Sequence, residues 1–443
     1  MPRLLFADDQ GRVYDHPELL AAARSGDRVV RPRERPVALP AGASLCLLPG
    51  RRPVGVDPAS GALVVLDQVR VGRRRIVPHA VGATLPPGYT RTLLPAAARP
   101  PLATLSATPV LPQWAYTAAG LGAGGPVVFA LRTDRRLHWD PRRHSTPDLP
   151  GRVEALCATG NPIDRQLARC ALEWRCFTAQ NTFYRRDEGA IPSSASCNAA
   201  CVGCLSEQDE GMPPPSHERI VRPPSADEMA DLAVRHLAHA TGRVMVSFGQ
   251  GCEGEPLLRW KEIERAIRRI RSETRRGSIH LNTNGSLPEA LGRLCDAGLD
   301  SVRISLNSAS PDLYQAYYRP RGYGLADVLR SVRMARRKGA YVALNLLTFP
   351  GVTDRAGEVE RLRRLVAGAD VDQIQTRPLA IDPDVYMEIA RTRGGGGPPL
   401  GVPALIRALR RARPGLVVGN FSRARLERPP PARADRARAG ARP

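Results

Sequence analysis

The sequence predicts an α/β protein: a partial barrel of six strand–helix units, preceded by a β-rich N-terminal domain and a helical connector. Three observations support this prediction. Short apolar runs broken by Pro and Gly fill the first 150 residues, apolar residues recur at helical spacing after residue 161, and strand-like and helical stretches alternate after residue 189. Such alternation predicts a parallel sheet, because parallel neighbours need a crossover helix.

Residues 1–150 are predicted to form the β-rich N-terminal domain. Its apolar runs, Ser44–Leu48, Ala62–Leu66 and Val127–Leu131, are short and are separated by turn-forming clusters such as Leu85–Gly88. Short strands separated by Gly and Pro are typical of β-rich domains. No motif in this region carries recognisable chemistry, so its role stays open.

Residues 151–188 are predicted to form the helical connector. The apolar residues that recur at intervals of three and four are Leu167, Cys170, Ala171, Trp174 and Phe177. This spacing places them on one face of a helix that begins near Asp164. Cys170 is interpreted as a core residue, because a buried free cysteine behaves as a small hydrophobic side chain. Cys176 falls off that face, and a ligand role for either thiol stays open.

Residues 189–384 are predicted to form the partial barrel. The predicted strands are Arg243–Phe248, Ser278–Asn282, Ser301–Leu306, Tyr341–Phe349 and Asp372–Leu379. The predicted helices lie near Ala226–Ala240, Leu257–Thr274, Pro288–Ala297, Leu325–Lys338 and Arg355–Ala367. With the run before the cysteine-rich segment as first strand, these elements give a TIM-like arrangement whose chemistry is expected at the carboxyl ends of the strands. Residues 385–425 are predicted to be a helical C-terminal extension, and the Arg-rich residues 426–443 a disordered basic tail.

The composition limits the classes of protein to which this chain can belong. The formal net charge is +22, but Lys261 and Lys338 are the only lysines, so arginine carries nearly all of the positive charge. A solvated basic surface is favoured, and nucleic-acid binding is possible but not favoured. The sequence has no apolar run of membrane-spanning length, and its N-terminus lacks a secretory core, which predicts a cytoplasmic protein without a membrane partner. Nine cysteines, an odd number, favour free thiols and metal ligation over disulfides.

Three cysteines directly follow the first predicted strand. Ser193–Cys204 reads SSASCNAACVGC and places Cys197, Cys201 and Cys204 in a CxxxCxxC array on one loop. Three thiolates would leave one iron of a cubane cluster open, and that iron could bind the amino and carboxylate groups of S-adenosylmethionine (SAM). The alternatives are chance clustering or a zinc site, which needs a fourth ligand such as His217.

This array and the residues after it resemble the radical SAM superfamily over about residues 190–384. In that family the second strand ends in a GGE motif that receives the methionyl ammonium of SAM. The matching segment is Gly249–Leu258, GQGCEGEPLL. Here Gly254 would let the backbone approach the ligand, and Glu255 would supply a negative charge. A simple turn remains the alternative for this motif.

The resemblance also implies polar SAM-binding groups at the ends of the third and fourth strands, where the candidates are Asn282, Thr283, Asn284, Ser305 and Asn307. Asn345, inside the fifth strand, is a further candidate, for the adenine region. Asn284 precedes a glycine and equally suits turn formation, whereas Asn345 interrupts an apolar run and needs a partner if buried. The chain departs from the family at Gly203, where an apolar or aromatic residue usually packs on adenine, and at Glu253, which replaces the first glycine of the motif.

The family implies a [4Fe–4S] cluster and SAM as cofactors and an external one-electron donor, flavodoxin- or ferredoxin-like. Reductive cleavage of SAM would give a 5′-deoxyadenosyl radical that abstracts hydrogen from an unidentified substrate, a peptide or a small molecule. Cys252, expected at the cavity mouth, is a catalytic candidate as hydrogen donor, or an inert thiol. Arg377, ending the sixth strand, is a candidate for binding an acidic group or for a surface salt bridge. Two other functions stay open: an RNA- or protein-modifying radical SAM enzyme guided by its basic surface, and a metal-scaffolded nucleic-acid-binding protein.

Overall fold

The computed structural model describes residues 1–98 and 108–424, so the predicted tail at 426–443 lies outside the described residues. A β-rich N-terminal region is followed by helices and then by a curled, parallel half-barrel sheet, which confirms the predicted fold class. The exact boundaries at residues 150, 188, 384 and 425 stay a prediction. Across the described ranges, no helix is long and apolar enough to cross a membrane.

The N-terminal region is built from short antiparallel strands. Its first strands are β1 Arg3–Ala7, β2 Val13–Ala21, β3 Ala23–Ser25, β4 Arg28–Val30, β5 Val37–Ala38, β6 Leu45–Leu48, β7 Arg52–Val56, β8 Leu63–Val65 and β9 Val69–Val71. The later strands are β10 Arg74–Ile76, β11 His79–Ala83, β12 Tyr89–Arg91, β13 Leu94–Pro95, β14 Ala97–Ala98, β15 Thr117–Gly122, β16 Gly125–Val128 and β17 Ala130–Arg132. The three predicted apolar runs correspond to β6, to β8 and to β16 with β17.

Three short helices connect this region to the barrel. They are α1 Leu149–Cys157, α2 Pro162–Leu172 and α3 Phe177–Tyr184. Cys170 is 1% exposed and belongs to the main core, as predicted. The prediction that Trp174 and Phe177 continue the same helix is wrong. Arg175 adopts a left-handed backbone (φ +51°), which ends helical geometry, and Phe177 begins the next helix.

The parallel sheet runs in the order β18 to β24. Its strands are β18 Arg186–Ile191, β19 Thr241–Phe248, β20 Ser278–Thr283, β21 Ser301–Leu306, β22 Tyr341–Thr348, β23 Gln373–Pro378 and β24 Val417–Gly419. The helices are α4 Ala226–His239, α5 Trp260–Glu273, α6 Pro288–Ala297, α7 Pro311–Tyr318, α8 Leu325–Arg337, α9 Ala356–Gly368, α10 Pro383–Ala390 and α11 Val402–Ala412. The segment predicted as a helical extension therefore also contributes β24, a seventh strand.

The two faces of the sheet differ in polarity. Successive side chains of a strand point to opposite faces. On β20, Ile279 and Leu281 are fully buried in the main apolar core with the helices, whereas His280 and Asn282 face the barrel interior. Asn282 is level with Arg303 of β21. The barrel interior is thus lined by polar and charged groups. Burying such groups costs free energy unless each has a hydrogen-bonding or ionic partner.

The segment after β24 closes the lower part of the barrel interior. Ser422 Oγ lies 3.1 Å from His280 Nε2 and 3.5 Å from Gln375 Nε2. Gln373 Nε2 donates to the carbonyl of Phe421 (2.8 Å). Gln373 and Gln375 are 0% exposed, so the segment after β24 shields this part of β23 from solvent.

The N-terminal region docks on the barrel through buried polar contacts. Arg51 forms an ion pair with Asp382 (2.6 Å), and both side chains are almost fully buried, at 3% and 1% exposure. Arg51 also reaches Asp384 (3.3 Å), which pairs with Arg24 (2.6 Å). These contacts join the N-terminal strands to the residues that begin α10, directly after β23. The region is therefore held at the carboxyl edge of the sheet.

Candidate functional site

The three cysteines lie on the loop that follows β18, at the carboxyl end of the sheet. The end of α7 holds this loop. Ala200 N–H donates to the carbonyl of Tyr318 (3.1 Å), and Val202 N–H donates to that of Tyr317 (3.0 Å). The loop therefore follows a fixed course between the sheet and α7.

The thiols of Cys197, Cys201 and Cys204 are half-buried and close to one another. Burial, followed by the negative charge of Glu255, raises the pKa of Cys197 to about 11. Burial raises the pKa of Cys201 well above its ordinary value, and the other two thiols add to this effect. Soft sulfur ligands that face one another are the donor set that an iron–sulfur cluster uses.

The arrangement fits a cluster better than a single ion. In residues 1–98 and 108–424, no three His, Cys, Asp or Glu side chains stand close enough to hold one metal ion. In a cubane cluster each thiolate binds a different iron, so its ligands lie farther apart than those of zinc. His217, the candidate for a fourth zinc ligand, packs its ring against Trp174 with ring centroids 5.5 Å apart.

Glu253 fastens the loop after β19 to the cysteine loop. One oxygen of its buried carboxylate accepts hydrogen bonds from Ser193 N–H (2.7 Å), Ser193 Oγ–H (2.7 Å) and Ser194 N–H (2.8 Å). The other oxygen accepts from Gln250 N–H (2.5 Å). The residue that replaces the first glycine of the motif therefore positions the start of the cysteine loop.

Replacing Glu253 with glutamine should lower the free energy of unfolding by about 1–3 kcal/mol, because an NH₂ group replaces one acceptor and leaves a buried N–H without a partner. It should also lower the iron content after reconstitution, since the cysteine loop loses its anchor. Urea denaturation and iron analysis test both effects. The matched control Glu273→Gln, at an exposed end of α5, should change stability by less than about 0.5 kcal/mol. Equal stability of the two variants would contradict the anchoring role.

Gly254 brings the two loops into backbone contact. Its N–H donates to the carbonyl of Ser194 (2.7 Å), and the next N–H, of Glu255, donates to that of Ser196 (2.8 Å). A Cβ at position 254 would lie 2.1 Å from the Ser196 oxygen. Any side chain at position 254 would therefore push the two loops apart, and the predicted approach of this backbone to the ligand stays a prediction.

Glu255 is 3% exposed and is held by the end of β20. Its carboxylate accepts hydrogen bonds from Thr283 Oγ, from Asn284 N–H (2.8 Å) and from Leu257 N–H (3.0 Å). Burial raises its pKa to about 7. A carboxylate offers about four lone-pair sites, so the protein occupies most of them. The predicted contact between Glu255 and an ammonium group stays a prediction.

Other predicted SAM-binding residues also have partners within the protein. Asn284 stabilises a turn, because its Oδ1 accepts a hydrogen bond from Ser286 N–H (2.9 Å). Its Nδ2 donates a hydrogen bond to Asn198 Oδ1 on the cysteine loop (2.8 Å). Asn307 is 1% exposed, and its Nδ2 lies 3.5 Å from Tyr386 Oη. Thr283 and Asn284 therefore connect the motif turn and the cysteine loop to the sheet.

Six half-buried residues face the barrel interior from the middle and the carboxyl ends of β20 to β23, and this group is called the cup. They are Asn282, Arg303, Ser305, Asn345, Leu347 and Arg377. Ser305 and Asn345 are level with each other on neighbouring strands. The Oδ1 atom of Asn345 is buried and has no hydrogen-bond partner among the described residues. An orphaned acceptor beside a serine hydroxyl fits a polar ligand such as the nucleoside of SAM.

At Gly203, where the family usually has a bulky apolar or aromatic residue, a tyrosine from another element fills the space. A Cβ at position 203 would lie 2.8 Å from the hydroxyl oxygen of Tyr317. Tyr317 of α7 thus occupies the space that a side chain at this position would need, and it packs edge-on against Tyr386 with ring centroids 5.9 Å apart. An aromatic ring is therefore present beside the third cysteine, although it comes from a different element.

The structure corrects the expected position of Cys252. Its side chain is 2% exposed in the main apolar core, and its thiol interacts with Cys170 and Gln166 of α2. The loop after β19 directs Glu253 toward the cysteine loop, so Cys252 is turned inward against the connector. A buried thiol in this setting suits packing better than hydrogen donation at a cavity mouth.

Two polar contacts to Cys204 come from residues without a recognisable motif. Gln113 of the N-terminal region donates from Nε2 to the carbonyl of Cys204 (2.9 Å). Arg219 Nη2 lies 3.6 Å from the Cys204 sulfur, and Arg219 also pairs with Glu207 (2.7 Å). Hydrogen bonds to ligand sulfurs help to set the reduction potential of an iron–sulfur cluster. No periodicity or spacing in the sequence marks either residue.

Comparison with known proteins agrees with this geometry. Residues 191–366 match the family model described as the Radical SAM superfamily. The FeMo cofactor biosynthesis protein NifB of Klebsiella pneumoniae is 30% identical over 213 residues, 44% of this chain and 43% of that protein. A GTP 3′,8-cyclase of Lactiplantibacillus plantarum is 30% identical over 160 residues, 36% of this chain and 44% of that protein. The chain thus spans less than half the length of these curated relatives.

A radical SAM methyltransferase from Sphaerobacter thermophilus superposes with a TM-score of 0.37 and 19% identity, over 53% of this chain and 66% of that chain. The family match begins at the last residue of β18 and covers the cysteine loop and the motif turn. A [4Fe–4S] cluster and SAM are the cofactors of this family. The family match identifies residues 191–366 of this chain as a radical SAM domain.

Proposed function

We propose that this chain cleaves SAM reductively and directs the resulting 5′-deoxyadenosyl radical to a hydrogen atom of a bound substrate. The observation that carries the proposal is the set of three half-buried thiols on one loop, held beside Glu255 at the carboxyl end of the first barrel strand. In such barrels this is the end where chemistry takes place. An external one-electron donor completes the proposed reaction.

The cysteine loop would hold the cluster. Cys197, Cys201 and Cys204 would each bind one iron as thiolates and leave the remaining iron open to the amino and carboxylate groups of SAM. Glu253 and Gly254 would keep this loop at a fixed distance from the motif turn through the hydrogen bonds described above. Preorganisation of this kind keeps reacting groups in position without further ordering cost.

The cup would orient the nucleoside and exclude water. Ser305 Oγ can donate and accept, and Asn345 Oδ1 is an acceptor without a protein partner. Gln375 lies level with Asn345 on the next strand, and Ser422 and His280 close the barrel interior beside it. A closed, water-poor site protects a reactive radical from side reactions.

Anaerobic reconstitution of the full chain tests this proposal. We expect iron and sulfide in the amounts of one [4Fe–4S] cluster per chain, and an electron paramagnetic resonance spectrum of the reduced protein that changes when SAM is added. Reduced protein with SAM should release 5′-deoxyadenosine. Binding of zinc in place of iron, or a cluster spectrum that does not respond to SAM, would contradict the proposal.

A further inference from the structure

Two arginines face the barrel interior from neighbouring parts of the cup. Arg303 lies in the middle of β21, and Arg377 lies near the end of β23. Both side chains are half-buried, so part of each remains accessible to solvent. Arg303 Nη1 donates to Gln375 Oε1 (3.1 Å). Both arginines therefore face the cup inside the half-barrel.

These two charges have no carboxylate at ion-pair distance among the described residues, and the buried Nε of Arg377 has no hydrogen-bond acceptor there. Glu188 of β18 faces both arginines, and Asp134 faces Arg377. Burial raises the pKa of Glu188, and a hydrogen bond with Ser247 and the two arginines oppose this shift. Asp134 Oδ1 lies 3.7 Å from Arg136 Nε, so the charge of Asp134 is shared with a second cation.

The pair carries an electrostatic cost in the free protein. Burial lowers the pKa of Arg303 to about 9, and the like charge of Arg377 lowers it too. Guanidinium groups are normally buried only with hydrogen-bonding anionic partners. Each guanidinium group presents a fork of donors that matches the geometry of a carboxylate or a phosphate, and both arginines face the same barrel interior.

We propose that the substrate carries a carboxylate or phosphate group and that Arg303 and Arg377 bind this group inside the barrel. The inference rests on the proposed function, because that function requires a substrate in the same cup. The carboxylate of SAM has the same chemistry and is the other possible source of the anion. The predicted contacts to the methionine part of SAM lie after β19 and at the ends of β20 and β21. Arg303 lies on β21 beside Asn282 of β20, but Arg377 lies on β23, three strands from β20, roughly 14 Å at the usual strand spacing. The position of Arg377 therefore favours the substrate as the source of the anion.

Binding of inorganic phosphate and of SAM to the full-length reconstituted protein tests the inference. Calorimetric titrations at about 0.15 M salt suppress weak surface binding. Arg377→Gln and Arg303→Gln should each weaken phosphate binding by about tenfold or more, and Arg377→Lys should retain part of the affinity. The matched control Arg330→Gln removes an exposed arginine that pairs with Asp327 on α8 and should bind phosphate like wild type. Circular dichroism melts check that each variant is folded.

Each outcome decides the proposal. Equal phosphate affinity in wild type and both glutamine variants, or no binding by wild type, overturns the anion site. If SAM affinity falls by the same factor as phosphate affinity, the pair binds the cosubstrate, and the assignment to the substrate is wrong. If wild type forms no 5′-deoxyadenosine while phosphate affinity still depends on Arg377, the proposed function fails and the anion site stands.

Discussion

Replacing Cys201 with alanine is expected to abolish release of 5′-deoxyadenosine from SAM, by more than about a thousandfold, because catalysis of this step depends entirely on the cluster. Cys201 is the middle thiol of the array, and burial, followed by the two neighbouring thiols, raises its pKa well above the ordinary value. Two remaining thiolates are too few to hold a cubane cluster on one loop. Anaerobic reconstitution followed by chromatographic assay of 5′-deoxyadenosine measures the loss.

The control for this prediction is Cys46→Ala. Cys46 is half-buried in β6 of the N-terminal region, away from the cysteine loop. This variant should bind iron and release 5′-deoxyadenosine like wild type. If Cys201→Ala kept its iron and its activity, the three cysteines would not be the cluster ligands. If Cys46→Ala lost both as well, the loss in Cys201→Ala would reflect general unfolding and not ligation.

The parallel sheet could be predicted from sequence because its signals are local. Each strand from β19 to β23 was predicted to within about two residues, since apolar runs such as Val342–Leu347 are bounded by Gly, Pro or Asp. The cysteine array was recognisable for the same reason, because its ligands lie within eight residues of one another along the chain. Strand β24 was missed, since three residues after a helix give almost no periodic signal.

The contacts that organise the site could not be predicted because they join distant segments. In the sequence, Glu253 is only a departure from the family motif. Its role depends on hydrogen bonds from Ser193 and Ser194, which lie about sixty residues earlier in the chain. Cys252 was expected at the cavity mouth from its distance to Glu255 along the chain. A loop can turn adjacent side chains in opposite directions, so sequence distance does not fix which of them reaches the cavity.

The buried ion pair between the N-terminal region and the barrel predicts a large effect on stability. Arg51→Met is expected to lower the free energy of unfolding by about 3–5 kcal/mol, because it leaves the carboxylate of Asp382 buried without its cation. Asp382 would keep only neutral donors, such as Leu111 N–H (2.8 Å). Asp384 would still pair with Arg24. Urea denaturation of the cluster-free protein under reducing conditions measures the change.

The neighbouring variant Arg52→Met separates this effect from loss of an arginine in general. Arg52 pairs with Asp67 at 3.8 Å, and the aspartate is 81% exposed, so its replacement should change stability by less than about 1 kcal/mol. Adding Asp382→Asn to Arg51→Met should recover part of the loss, since the asparagine keeps an acceptor oxygen but carries no charge. If Arg51→Met cost no more than Arg52→Met, the ion pair would not be what holds the N-terminal region against the end of β23.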